Sequence, residues 1–156
     1  MDDFFHQFYL LEEGDYDYMN YQQHLVFSTP VEIEDDLIMY LYDTLRWVPN
    51  DNNNLNKPPE VSFYGLDLEG RTIIGKRGAR MFRDILLSWA NLFSLGPDSL
   101  TLTGRFELSY GKDNIQTGNY QKVHLMRDET VNLLRILADW AARVVDENVV
   151  ILHLGL

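Results

Sequence analysis

Glu32 and Asp36 stand four residues apart, and on a helix that spacing sets two carboxylates on one face, one turn from each other. Such a pair suits general acid–base chemistry, one group protonated and the other ionised. No histidine motif accompanies them, so they read as a solvated helix face. His6, His24, His124 and His153 are isolated, with no His-x-His or His-Glu-x-x-His pair to hold zinc. No serine sits in a nucleophile elbow, and there is neither a Walker loop nor a dinucleotide fingerprint. These side chains predict a protein without catalytic residues, metal or cofactor.

Asp15-Tyr16-Asp17-Tyr18 is similar to the opening of a calcium loop, but Met19 stands where a third oxygen ligand belongs, Asn20 where the turn glycine belongs and Val26 where the closing glutamate belongs. The run Ile74-Gly75-Lys76-Arg77-Gly78 with Met81 resembles the Gly-x-x-Gly loop of the KH family, which implies a clamp on a nucleic-acid backbone. The likeness stops at Asp84, where the family has an apolar position, and at the hairpin expected ahead of the loop in place of a helix. An ordinary strand-to-helix turn accounts for the glycines. Lys76, Arg77, Arg80 and Arg83 fall in the first two turns of the helix that follows, the unfavourable end for positive charge. Their compensation is either a bound anion, on Lys76, Arg77 and Arg80, or the acidic N-terminal third of the chain.

That acidic third dominates the charge. The net charge is −11, and residues 1–45 hold eleven of the 24 acids and none of the 13 bases, so the remainder is neutral. Interleaved with tyrosines, these acids predict an electronegative binding surface made of Asp15, Asp17, Glu32, Glu34, Asp35, Asp36 and Asp43 with Tyr16 and Tyr18. It would speed association with a basic protein and repel phosphates, so no direct nucleic-acid ligand is expected. The acidic start, Met1-Asp2-Asp3, lacks a signal peptide's basic segment, no apolar run reaches membrane-spanning length, and there are no cysteines. The cytoplasm is the default location, without membrane association.

The elements expected to carry these residues form one domain over 1–156. Residues 4–11 and 22–28 read as strands. Thr29-Pro30-Val31-Glu32 reads as a capping box that opens a helix running to Pro49. Residues 49–59 are a polar, Asn- and Pro-rich loop, 61–68 and 71–74 a hairpin, and 76–95 a helix closed by Gly96-Pro97. Residues 100–110 and 119–126 pair as strands, Asp128 caps a helix to 146, and the apolar run 149–154 is a central strand. The order predicts an α+β fold, about three amphipathic helices on a mainly antiparallel sheet.

A small, acidic, cysteine-free domain without catalytic residues resembles the immunity proteins of bacterial toxin systems of the contact-dependent inhibition type. The resemblance rests on the acidic block from Asp2 to Asp43 and on size. It implies an inhibitor that occludes a basic, nuclease-like toxin domain, with charge reversal at Asp35 and Asp36 slowing association. Three other readings compete: a phage-type acidic protein that imitates DNA, a small enzyme on the Glu32/Asp36 face, and a nucleic-acid binder using the GKRG turn.

Overall fold

Period-two burial along Phe5–Glu12 makes β1, with His6, Phe8 and Leu10 turned to one face of the sheet and Gln7 and Tyr9 to the other. The computed structural model describes residues 4–14, 20–52 and 63–156. Asp15, Tyr16, Asp17 and Tyr18 lie outside the described residues. The remaining elements are β2 (Val31–Glu34), α1 (Asp35–Leu45), β3 (Arg71–Ile74), α2 (Lys76–Phe93), β4 (Ser99–Tyr110), β5 (Gln116–Met126), α3 (Arg127–Asp146) and β6 (Val149–Leu154). A four-stranded sheet in the order β2-β1-β6-β3 is antiparallel throughout, and β4 with β5 forms a separate two-stranded ribbon.

The expected α+β architecture is present, with the helices packed on the sheet. Phe8, Leu10, Val31, Ile33, Ile74, Val149 and Ile151 from the strands meet Leu37, Leu41, Phe82, Leu86, Leu134 and Leu137 from the helices in one core. The opposite sheet face carries a smaller cluster, Leu11, Ile73, Val150 and Leu152, packed by Tyr9, Tyr21 and Leu25. β6 is buried on both faces and lies between β1 and β3, as its unbroken apolar run predicts. Among the described residues no helix is long and apolar enough to cross a membrane.

Three local expectations fail. The Thr29-Pro30-Val31-Glu32 capping box does not open a helix: Val31–Glu34 is an edge strand and α1 starts at Asp35. Val-Glu-Ile-Glu alternates at period two with β-branched residues inward, and pairing with Phe5–Phe8 of β1 outweighs the local cap. Asp35 and Asp36 then supply the first-turn acids that favour a helix start. In place of a strand at 22–28 there is a 3-10 turn, Tyr21–His24, followed by a single bridge from Leu25 to Leu11. The hairpin expected across 61–74 is also replaced, because β3 pairs with β6. Residues 63–70 run as turns and bends, Tyr64 making one bridge to Pro49, and residues 61 and 62 lie outside the described residues.

The start of the loop at 49–59 is a buried strap. Asn50 and Asn52 are 2% and 1% exposed. Asn50 donates through Nδ2 to Gly65 O (2.9 Å), and Asn52 accepts at Oδ1 from Ile73 N (3.0 Å). Asn50 Oδ1 in turn accepts from Asn52 N (3.1 Å). These amides satisfy backbone groups that no sheet partner reaches.

Candidate functional site: an acidic strand–helix edge

β2 is an edge strand, and its alternation turns Glu32 and Glu34 outward while Val31 and Ile33 enter the core. Opposite them on β1 are Gln7 and Phe5, and Gln7 Nε2 donates to Glu32 Oε1 at 3.0 Å. Tyr9, two residues along on the same face, donates its hydroxyl to Gln7 Oε1 at 3.2 Å. Burial, the neighbouring Tyr21 and the charge on Glu32 hold the Tyr9 phenol above its ordinary value, so it stays a neutral donor. Asp36, Tyr40 and Asp43 then follow along α1 at intervals of four and three residues, all exposed. Glu32 and Asp36 therefore occupy a strand and a helix, not one helix face, and the paired-carboxylate geometry does not form.

Asp35, at the junction of strand and helix, is held from behind. Its Oδ1 lies 2.9 Å from His6 Nε2, and His6 Nδ1 lies 2.8 Å from His153 Nε2. Both imidazoles are fully buried and stack with ring centroids 5.1 Å apart. With both rings neutral, His6 Nε2–H donates to the carboxylate and His153 Nε2–H donates to His6 Nδ1. The chain resembles a proton relay in composition, but its imidazoles are closed to solvent and only Asp35 is part exposed, at 23%. Its physical effect is to fix one carboxylate rigidly at the start of α1.

In front of Asp35, Arg105 from the β4–β5 ribbon brings Nη2 to 3.9 Å from Oδ2. Between ribbon and helix runs a groove of about 400 Å³, lined by Asp36, Met39 and Tyr40 on one side and Gly104, Arg105 and Gln121 on the other. One carboxylate and an aromatic ring stand on one wall and a guanidinium on the other.

The predicted acids thus divide. Glu32, Glu34, Asp36 and Asp43 are exposed along β2 and α1, Asp35 is tied into the fold, and Asp15 and Asp17 are outside the described residues. The His6–His153 pairing spans 147 residues of chain and leaves no mark in spacing, although both fall at inward positions of apolar strands, where a polar ring needs a partner.

Of the basic residues at the start of α2, Lys76 and Arg83 are engaged within the chain. Lys76 Nζ donates to Val144 O (2.9 Å) and Glu147 O, so it caps the carbonyl end of α3, the favourable end for a cation. Arg83 pairs with Asp84 at 2.9 Å. For Lys76 and Arg83 the compensation is intramolecular and comes from the carbonyl end of α3 and from Asp84. A Cβ at Gly75 would overlap the Asp51 carboxylate, and one at Gly78 would overlap the Pro49 carbonyl. The glycines admit the buried strap against α2, with the Asp51 carboxylate beside Gly75. Arg77 and Arg80 stand on the rim of an apolar groove of about 650 Å³ floored by Met81, Ile85 and Trp89.

Replacing Lys76 with alanine is expected to lower stability by about 1 kcal/mol, the usual worth of a helix-end partner. Urea unfolding measures this. No change would mean that the two α3 carbonyls are equally well served by water. Among the described residues, no group of three or more histidines and acids is set to hold a metal ion. No known protein family, curated protein or solved structure matches the chain.

Proposed function

We propose that the protein is a binding inhibitor of the immunity type, which covers a basic surface of a toxin-like partner with the acidic edge formed by β2 and the start of α1. The observation that carries this reading is the exposure of Glu32 and Glu34 on β2 and of Asp36 and Asp43 on α1, two successive elements at one edge of the sheet, with the rings of Phe5 and Tyr40 also exposed. Acids provide steering and charge pairing, and aromatic rings provide desolvated anchor area. Asp35, fixed by His6, presents α1 in one orientation and lowers the entropy lost on docking. Inhibition follows from occlusion: lysines and arginines that line the partner's substrate groove face these carboxylates and are withdrawn from substrate.

Glu32 and Asp36 are the positions to reverse, because both are exposed and each supports the fold only at the surface, Glu32 through Gln7 and Asp36 in the first turn of α1. The Glu32→Lys/Asp36→Lys variant is expected to associate with the captured partner at least about tenfold more slowly at low salt, with a flatter salt dependence. Dissociation should change less. An association rate equal to that of the parent protein would remove the acidic edge from the interface.

A further inference from the structure

The outer half of the β4–β5 ribbon presents an apolar face that no described residue covers. At the base of the ribbon, Leu100, Val123 and Leu125 join the core. Leu100, Leu102, Phe106, Leu108 and Tyr110 alternate so regularly that they read as one continuous inward face. The strand register does not allow it. Thr103 pairs with Lys122 but Phe106 pairs with Tyr120, so Gly104 and Arg105 stand against Gln121 alone. This one-residue bulge reverses the alternation of β4.

Beyond the bulge, Phe106, Leu108, Tyr110 and Tyr120 point away from α1, while Glu107, Ser109, Thr117 and Gln121 share the other face and bond to one another. The apolar side is built as a surface. Phe106 and Tyr120 meet edge to face with centroids 5.1 Å apart. The Phe106 ring lies across Gly118, where a Cβ would overlap it. Phe106, Leu108, Tyr110 and Tyr120 are 55–71% exposed. A two-stranded ribbon is at best marginally stable in water without something packed on its apolar face.

We infer that this face packs on the same face of a second copy of the chain, arm against arm about a twofold axis. Charge favours a second copy here. The ribbon segment 101–122 carries Arg105, Lys112 and Lys122 against Glu107 and Asp113, so it is nearly neutral in a chain of net charge −11. Asp35 and Asp36 meet the ribbon on its opposite face, which keeps the acidic edges of the two copies apart. Area is sufficient. At about 150–250 Å² for a large side chain, four that are more than half exposed offer on the order of 500 Å² per copy. Two copies then bury about 1,000 Å², the lower limit for a specific interface. A twofold contact between identical patches is self-complementary and closes, so assembly stops at the dimer. The acidic edge stays open in each copy.

Analytical ultracentrifugation over a concentration series tests this. The chain of 18.3 kDa should sediment as a dimer at high concentration and dissociate on dilution, with little dependence on salt. Leu108→Asp/Tyr110→Asp should sediment as a monomer and keep the parent circular dichroism spectrum. Because the chain has no cysteine, single cysteines report the contact directly. Under mild oxidation, Leu108→Cys should cross-link into dimers and Ser109→Cys, on the other face, should not. This comparison decides the matter even where the double aspartate variant fails to fold. A parent protein that is monomeric at the highest concentrations, or equal cross-linking from both cysteines, overturns the inference.

Discussion

Gly78→Ala is expected to destabilise the protein by about 2 kcal/mol, although alanine is the better helix residue. Exchanging glycine for alanine inside a helix ordinarily gains up to about 1 kcal/mol. Here the added methyl meets the Pro49 carbonyl and the Val48 Cγ1. The carbonyl belongs to a strap pinned on both sides: Asn50 N donates to Phe63 O (2.9 Å) and Asp51 N to Ile73 O (2.8 Å). It cannot move aside as a side chain would, so the overpacking cost falls near the upper end of the usual range, about 3 kcal/mol. Arg77→Ala, exposed on the same turn, should stay within about 0.5 kcal/mol of the parent. Urea titrations of the two variants separate packing from ligand binding as the reason for the glycines. Equal stabilities would return the GKRG turn to the list of candidate clamps.

His6→Ala should cost more, about 4 kcal/mol. The substitution opens a cavity at a fully buried position and strips His153 Nε2 of the partner 2.8 Å away. A buried large-to-small change alone costs roughly 2–5 kcal/mol, and an orphaned buried polar group a further 1–3. The two histidines act as one unit, so combining His6→Ala with His153→Ala should cost clearly less than the sum of the single changes. A coupling of about 1 kcal/mol or more is expected for groups in direct contact. Additivity within about 0.5 kcal/mol would mean that the buried chain from Asp35 to His153 is not energetically connected.

These two sites mark where the sequence was readable and where it was not. α2 and α3 follow from periodicity, because each buries one side of a regular helix, and the central position of β6 follows from its unbroken apolar run. The start of α1 was misread because a capping box is worth about 1 kcal/mol, less than the strand pairing that Val31 and Ile33 gain against β1. The partner of β3 was misread for a similar reason. Local turn chemistry at Glu69-Gly70 points to a hairpin, whereas β3 pairs with β6, a strand buried on both faces and nearly 80 residues away in sequence. Long-range choices of this kind leave no trace in spacing. The acids were visible at once, yet their division into exposed Glu32, Glu34 and Asp36 and a tethered Asp35 depends on His6, which sits on another strand. The bulge had one local sign, Gly104 inside an otherwise regular strand.

The measurement that bears most directly on the proposed function is capture of the partner from lysate of the source cell. The parent protein and Glu32→Lys/Glu34→Lys/Asp36→Lys are immobilised side by side at low and then moderate salt. The acidic edge predicts one basic protein on the parent matrix, weakened by salt and lost from the charge-reversed variant. Retention of nucleic acid in its place, or equal retention of the same protein by both matrices, would contradict it.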